Sequence, residues 1–274
     1  MSNHSDRELA FIHDLYIAPD WGERFAELID EHITLPREGR ALYVGSGTGG
    51  HALAMQERAG KDLHLVCVDE SQERLELARA KARALKIGGQ TEFHLMQPEA
   101  LDFADDQFDL VMGDASLVAP ERLPEILEEM VRVAAPGGTV AINIPTASSF
   151  GEFFSIYWEA LCNAGFAEQA SIVEDMINEL PTVSDMEAMA AGAGLDDVRS
   201  WTRIEEFDFA SGKEFINAPL ITSVLLKGWL EPLPDNEARA RVSGHIERLI
   251  DEERHNVDFA LSIKATLVAG RKAQ

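Results

Sequence analysis

The chain has few cysteines and no long apolar run. Its 274 residues include two cysteines, Cys67 and Cys162, which give no disulfide framework. No apolar stretch approaches the roughly 20 residues that span a bilayer. The N-terminal residues MSNHSD lack the basic start and apolar core of a signal peptide. These absences predict a soluble, cytoplasmic protein that does not act at a membrane.

Basic residues are also scarce. The chain has 24 Lys and Arg against 48 Asp and Glu, for a formal net charge of -24 at pH 7. A surface this negative repels phosphate backbones, so nucleic acid is not an expected partner. Hydrophobic residues make up 46% of the chain, which is enough for a full core. The eight histidines show no metal-ligand spacing, so no metal is predicted.

The most informative stretch is residues 41–50, where the apolar run ALYV leads into GSGTGG. An apolar run, a burst of glycine and an Ala- and Leu-rich helical pattern predict a buried strand, a tight turn and a helix start. Glycine lets the backbone turn sharply and lets a ligand approach, and the free N–H groups of the helix start can bind an anionic group. The glycine spacing fits both G-x-G-x-x-G and G-x-G-x-G, so the turn alone leaves the ligand open.

Strands and helices alternate after this turn. Further apolar runs predict strands at 63–68, 91–96, 108–112 and 139–144, with helical patterns between them. Short connections between alternating elements favour a doubly wound, mostly parallel α/β sheet of the Rossmann-like type. Residues 197–209 predict a sixth strand, and the alternating residues 257–267 predict a seventh, antiparallel strand that closes the sheet.

The remaining segments predict helical additions to this sheet. Residues 1–39 read as an N-terminal cap of two helices broken at Pro19, and residues 210–252 as an inserted lid, a homodimer contact or both. The α/β core would occupy residues 40–209, including a helical segment at 148–180, and residues 253–274 would supply the final strand. Helices placed before the first strand commonly cover the edge of the sheet where ligands bind.

Polar residues follow several predicted strands at that edge. Asp69 ends the second strand, where its carboxylate can accept hydrogen bonds from ribose hydroxyls beside the glycine turn. Gln97 and Pro98 follow the third strand, where an amide acceptor and an apolar neighbour suit an adenine. Asp114 follows the fourth strand. The sequence therefore predicts a nucleoside-containing ligand.

The order of five motifs identifies a family. V-G-S-G-T-G-G, V-D-E-S, Q-P-E-A-L-D-F, F-D-L-V-M-G-D and L-E-E-M-V-R-V-A-A-P-G-G together resemble the class I S-adenosylmethionine-dependent methyltransferases, especially their small-molecule branch of types 11 and 25. The resemblance covers about residues 41–145. The specific part is F-D-L-V combined with a helix that ends in R-V-x-x-P-G-G. This combination favours a methyltransferase over a nicotinamide enzyme.

The resemblance implies S-adenosyl-L-methionine as cofactor, S-adenosyl-L-homocysteine as product and a small-molecule acceptor. The residues that would bind the cofactor are Gly45, Ser46, Gly47, Gly49, Asp69, Glu70, Gln97, Pro98 and Asp114. The first four would lie under the amino-acid part, Asp69 would hold the ribose and Asp114 would line the methyl-transfer edge. Two positions depart from the family. Gln97 stands where an Asp is frequent, and Tyr43 stands where an acid often precedes the first glycine by two places.

No catalytic residue is identified by the sequence. Methyl transfer depends mainly on alignment and exclusion of water, and a general base is needed only if the acceptor must lose a proton. The candidates are Asp114, Tyr16 in the N-terminal cap and Tyr157 on an aromatic helix face from Phe150 to Trp158, which could pack or line a pocket. A catalytically silent cofactor-binding sensor and a protein or RNA methyltransferase remain alternatives; the net charge counts against RNA.

Overall fold

A computed structural model describes residues 5–59, 61–87, 89–253 and 258–274. The helices are α1 (Asp6–Ile12), α2 (Glu23–His32), α3 (Gly50–Ala59), α4 (Gln72–Leu85), α5 (Leu123–Val133), α6 (Gly151–Asn163), α7 (Ser171–Glu179), α8 (Val183–Gly192), α9 (Gly212–Asn217), α10 (Leu226–Leu230) and α11 (Asn236–Glu253). The strands are β1 (Gly39–Val44), β2 (Leu63–Asp69), β3 (Thr91–Leu95), β4 (Phe108–Asp114), β5 (Ala134–Pro145), β6 (Leu195–Phe209) and β7 (Phe259–Lys272).

The seven strands form one sheet in the order β3-β2-β1-β4-β5-β7-β6. β1 pairs in parallel with β2 and β4, and the last strands are antiparallel, which confirms the predicted Rossmann-like fold. Because the chain leaves β1 toward β2 on one side and returns to β4 on the other, the carboxyl end of β1 is a topological switch point, where such sheets bind ligands. β7 begins at Phe259, and residue 257 of the predicted strand lies outside the described residues.

Strand β5 begins earlier than the sequence pattern predicts. The P-G-G motif was expected to separate a helix from a strand starting at 139, but Ala134 already pairs with Phe108 of β4. A register irregularity between Phe108 and Leu110 absorbs the intervening residues. Gly138 is required inside this bulge because a Cβ there would lie 2.8 Å from the carbonyl oxygen of Ala135.

The N-terminal segment differs from the predicted pair of helices broken at Pro19. Helices α1 and α2 are joined by a π-helix, His13–Gly22, that contains Pro19. A π-helix changes the hydrogen-bond pattern and can absorb the N–H that proline lacks, so the helical path continues. Such π-helical segments are frequent at functional sites. This one places Ile17 and Trp21 in the protein interior.

The chain forms two compact units. The first comprises Met1–Ile144, Val183–Thr202 and Ala265–Gln274, and the second comprises Pro145–Thr182 and Arg203–Lys264. The core of the first unit lies under the sheet, where the side chains of Leu42, Val66 and Val111 are fully buried. Burying side chains of this size contributes roughly 1.5–3 kcal/mol each. Within the described part of the chain, no helix combines the length and apolar character needed to cross a membrane.

The second unit has an aromatic core built on α6. Phe153 stacks on Trp229 with ring centroids 3.9 Å apart and on Tyr157 with centroids 5.5 Å apart. The Tyr157 hydroxyl donates a hydrogen bond to the carbonyl oxygen of Trp229 at 2.7 Å. Trp158, the residue after Tyr157, is 50% exposed and is not part of this core. The aromatic stripe of α6 therefore packs the interior of this unit.

Candidate functional site

The turn between β1 and α3 has a backbone that requires glycine. Gly45, Gly47 and Gly49 have φ of +71°, +56° and +78°, in the left-handed region that side chains disfavour. A Cβ at Gly45 would lie 2.5 Å from the backbone oxygen of Asp114, and one at Gly47 would lie 2.9 Å from the His13 ring. The turn therefore brings bare backbone against the ends of two neighbouring elements.

Asp69 anchors this turn from the end of β2. One carboxylate oxygen accepts the Gly47 N–H at 2.8 Å, and the other accepts the Ser71 N–H at 2.9 Å and lies 3.1 Å from Arg74 Nε. Burial raises the pKa of Asp69, although Arg74 and the two N–H groups oppose this shift. A carboxylate has about four acceptor positions. Groups in the described part of the chain use three of them, which leaves one for a ligand hydroxyl.

Glu70, the residue after Asp69, is held by ion pairs with two arginines. Glu70 accepts a hydrogen bond from Arg122 at 3.0 Å, and Arg122 also binds both carboxylate oxygens of Glu99. Arg74 lies 3.9 Å from Glu70. These pairs hold the Glu70 carboxylate beside Asp69 while leaving it 39% exposed. Glu70 can therefore accept a further hydrogen bond from a ligand.

The end of β3 contributes only one of its two predicted residues. Pro98 is buried and lines the cavity described below. Gln97 is exposed, forms a backbone bridge with Ala100 and is not among the lining residues. The prediction that the Gln97 side chain contacts an adenine thus has no support in this arrangement. The residue sits outside because the backbone bridge fixes a turn at this point.

Asp114, at the end of β4, faces the same cavity. One of its carboxylate oxygens accepts the Ser116 N–H at 3.0 Å, and the Ser116 hydroxyl accepts the Trp21 indole N–H at 2.9 Å. Burial raises the pKa of Asp114, and the nearby negative charge of Asp69 acts in the same direction. The loop after β4 is thereby tied to the π-helical segment.

The π-helical segment supplies further residues to the site that are not among the predicted cofactor-binding residues. Asp14 accepts a hydrogen bond from the Thr48 hydroxyl at 2.6 Å and pairs with Lys81 of α4. His13 lies over Gly47, and its buried Nδ1 atom has no hydrogen-bond partner among the residues that the structure describes. No short motif reveals Asp14 or Lys81, because they meet across 67 positions of the sequence.

Three predicted site residues, Gly49, Tyr16 and Tyr157, do not line the cavity described below. Gly49 supports the turn from beneath, since a Cβ there would lie 2.8 Å from the Cβ of Ala78. Tyr16 is 58% exposed and is not a lining residue of the cavity. Tyr157 belongs to the core of the second unit and is fully buried, which favours the packing interpretation of its helix face.

These residues surround a cavity of about 470 Å³ that lies within the first unit. Acidic side chains dominate its lining: Asp14, Glu23, Glu27, Asp30, Asp69, Glu70 and Asp114. The basic side chains are Arg74, Lys81 and Arg122. An excess of carboxylates favours a cationic ligand. Among the described residues, no group of His, Cys, Asp and Glu is arranged to hold a metal ion.

The site fits a positively charged nucleoside. The glycine turn accepts a ligand where any Cβ would intrude, and Asp69 has one open acceptor position. Apolar side chains such as Ile17, Val118 and Ile126 complete the lining and can enclose a ring.

The pH dependence of the free energy of unfolding tests whether His13 is buried without charge. Burial and the charges of Arg74 and Lys81 lower the pKa of His13 from 6.5 to about 4, against the opposing charge of Asp14. The folded protein therefore excludes a proton that the unfolded chain takes up, so stability is lost as the pH falls from 6.5 toward 4. Between pH 8 and pH 5 the wild type should lose about 2 kcal/mol more than His13→Asn.

Urea unfolding of both proteins at the two pH values measures this difference. Equal losses for the wild type and the variant would show that His13 titrates normally in the folded protein.

The amino-acid sequence matches known methyltransferases. A model of the methyltransferase domain matches residues 41–138. Methyltransferase GfsG of Streptomyces halstedii is 27% identical over 188 residues, covering 66% of this chain and 63% of that protein. The demethylmenaquinone methyltransferase of Shouchella clausii is 30% identical over 169 residues, covering 58% of this chain and 71% of that protein. The chain thus spans slightly less than two thirds of GfsG.

Solved structures share the fold at low sequence identity. The YcgJ protein of Bacillus subtilis has a TM-score of 0.60 and 17% identity, covering 92% of this chain and 99% of that chain. A phosphoethanolamine N-methyltransferase of Haemonchus contortus was solved with phosphomonomethylethanolamine and S-adenosylhomocysteine. It has a TM-score of 0.57 and 18% identity, covering 100% of this chain and 59% of that chain.

Proposed function

Because this chain belongs to the class I S-adenosylmethionine-dependent methyltransferases, we propose that it transfers the cofactor's methyl group to a small organic acceptor by in-line displacement. Family membership confirms the identification made from the sequence motifs and the choice of S-adenosylmethionine as cofactor. The observation that carries the proposal is the acidic cavity in which the left-handed glycine turn meets the buried Asp69. The cofactor's sulfonium is a cation, and such a cavity favours it over a neutral nucleoside.

Each part of the cofactor has a proposed partner. The turn from Gly45 to Gly49 would lie under the amino-acid part, where no Cβ obstructs it. Asp69 would accept one ribose hydroxyl at its open position, and the exposed oxygen of Glu70 can accept the other. Pro98 would border the adenine with apolar surface. Gln97 is left out of this assignment because it is exposed and does not line the cavity.

The bound cofactor would supply an electrophilic methyl group, and the positive charge of its sulfonium would be lost on transfer. The protein must then align the acceptor with that methyl group and keep water out. Asp114 stands at the end of β4 beside the glycine turn, where a carboxylate can orient either the sulfonium or the acceptor. Trp21 and Ser116 hold the loop that follows Asp114 in place. Neither Tyr16 nor Tyr157 is needed in this mechanism.

We further propose an acceptor that is partly apolar. Ile17, Trp21 and Ala26 contribute apolar surface on the helical side of the cavity. The Shouchella relative is named for demethylmenaquinone, so hydroquinones are the first acceptors to test. Sedimentation velocity tests, independently of the reaction, the alternative that residues 210–252 form a homodimer contact.

Calorimetry and an acceptor panel test the function together. S-adenosylmethionine and S-adenosylhomocysteine should bind one site, whereas NADH should not bind. A panel of phenols, hydroquinones, amines and organic acids is then scanned for formation of S-adenosylhomocysteine. Binding without turnover of any member favours the silent sensor subunit. Absence of cofactor binding, or binding of NADH in its place, contradicts the proposal.

A further inference from the structure

Four side chains from β1, α2 and α3 form a continuous hydrogen-bonded line at one wall of the cavity. The Tyr43 hydroxyl lies 2.9 Å from Nδ1 of His51, and Nε2 of His51 lies 2.9 Å from Asp30 Oδ1. Arg58 binds both oxygens of Asp30, at 2.5 and 2.7 Å. Tyr43, His51 and Asp30 all line the cavity. The cofactor assignments above use none of these residues.

The donors and acceptors of these hydrogen bonds can be assigned. Burial acts to raise the pKa of Asp30, but hydrogen bonds from His51 and Arg58 outweigh it and hold the pKa well below its usual range. An ionised carboxylate only accepts, so Nε2 of His51 carries a hydrogen, and in the neutral imidazole Nδ1 is then the acceptor. Tyr43 must then donate its hydroxyl hydrogen to Nδ1. The lone pair that remains on Tyr43 Oη is free to accept a proton from a ligand in the cavity.

Exposure increases step by step along the line. Tyr43 is 4% exposed, the side chain of His51 16%, that of Asp30 32% and that of Arg58 48%. The His51 ring, which receives the proton, is therefore closer to solvent than the Tyr43 hydroxyl. Burial, followed by the charge of Asp114, raises the pKa of Tyr43 well above 10, so this hydroxyl stays neutral and passes a proton on instead of giving it up first.

The arrangement of hydroxyl, imidazole and carboxylate is the one by which hydrolytic triads move a proton. We propose that Tyr43, His51 and Asp30 form a proton relay that removes a proton from the methyl acceptor. This inference rests on the proposed methyltransferase function. It narrows the acceptor to molecules that must lose a proton, such as a phenol or a hydroquinone.

The reaction balances as follows. The acceptor's nucleophilic electron pair forms a bond to the methyl carbon, and the bond from carbon to sulfur breaks with its electrons remaining on sulfur. The acceptor's proton moves to Tyr43 Oη while the hydroxyl proton of Tyr43 moves to Nδ1 of His51. The resulting imidazolium is paired with the Asp30 carboxylate, which Arg58 holds in position. The charged and titratable groups around Tyr43 are Asp114 of β4, Cys67 of β2 and Asp30 of α2.

Two variants separate proton transfer from structural support. Tyr43→Phe removes the proton carrier. His51→Gln keeps an oxygen that can accept from Tyr43 and an amide N–H that can donate to Asp30, but an amide does not take up a proton. Both variants should lower kcat on the order of 100-fold with a hydroquinone or phenol acceptor. Their affinity for S-adenosylhomocysteine should stay close to that of the wild type, and the pH dependence of kcat should be lost.

His64→Gln is the matched control. His64 lies 2.8 Å from Glu92, so it makes a similar imidazole–carboxylate pair, but it does not line the cavity. Its kcat should equal that of the wild type. If His51→Gln retains wild-type kcat, the contact is structural and the relay is overturned. A rise in the dissociation constant of S-adenosylhomocysteine with kcat unchanged would instead make Tyr43 a cofactor contact, which also overturns the relay.

Nitrogen-15 NMR of the full chain with bound S-adenosylhomocysteine tests the relay without any acceptor. The relay requires His51 protonated at Nε2 with Nδ1 accepting a hydrogen bond, and the Nδ1 signal should shift in Tyr43→Phe. A hydrogen on Nδ1 overturns the relay even if turnover is found. Conversely, failure of the whole acceptor panel speaks against the proposed function, whereas the NMR result still decides the relay.

Discussion

Gly45→Ala is expected to abolish detectable cofactor binding and to lower the free energy of unfolding by about 2–5 kcal/mol. Two effects add in this estimate. The φ of +71° strains any residue with a Cβ, and the new Cβ would lie 2.5 Å from the backbone oxygen of Asp114. Relief of that contact must move either the glycine turn or the end of β4, and both line the cavity. Urea unfolding and calorimetry with S-adenosylhomocysteine measure the two effects.

Gly244→Ala is the control for this substitution, because the position has room for a Cβ. Gly244 lies inside α11, and a Cβ there meets no atom of the described residues within 4 Å. Alanine should raise the free energy of unfolding by about 0.5–1 kcal/mol at this position and leave cofactor binding unchanged. If Gly45→Ala unfolds at the wild-type urea concentration and binds cofactor normally, the turn does not hold the ligand in the proposed way.

Asp69→Asn is expected to raise the dissociation constant of S-adenosylhomocysteine on the order of 100-fold, or about 2.7 kcal/mol. The amide removes the negative charge beside the ribose. It also turns an N–H₂ group toward either the Gly47 N–H or the Ser71 N–H, both of which need an acceptor. The effect should therefore combine loss of a ligand contact with loosening of the glycine turn. Isothermal titration calorimetry gives the dissociation constant directly.

Asp62→Asn serves as its control at the opposite end of the same strand. Asp62 is exposed, immediately precedes β2 and does not line the cavity. Its variant should bind S-adenosylhomocysteine as the wild type does. Wild-type affinity in Asp69→Asn would refute the ribose assignment, and Glu70 would then be the next carboxylate to replace.

The alternation of apolar runs with helical patterns was sufficient to predict the seven strands of the sheet, because strand and helix periodicity are local properties of the chain. The prediction that the last strand closes the sheet was wrong, since β7 lies between β5 and β6, and strand order is set by tertiary packing. Pro19 shows the limit of that reasoning. Proline normally ends a helix, yet here a π-helix carries the chain past it and positions His13 and Trp21 at the site. The helix continues because Trp21 and Ile17 are buried in the fold, an effect that no local pattern records.

The residues of the candidate site also differ in whether the sequence could place them. Gly45, Gly47, Asp69 and Asp114 could be placed from the sequence because each follows a strand, and the ends of parallel strands meet at one edge. Gln97 follows a strand too, but a local backbone bridge turns it outward. The aromatic helix face that carries Tyr157 could pack or line a pocket, and the hydrogen bond from Tyr157 to Trp229 favours packing.

The sequence by itself determined the family, the cofactor and the strand ends that form the site, since these depend on residue types at short fixed spacings. Only the tertiary structure decided that Tyr43 meets His51 and Asp30, and that Asp14 meets Lys81. Those side chains lie on separate elements, the π-helix, β1, α2, α3 and α4, and each hydrogen bond or ion pair exists only once packing brings them within about 3 Å.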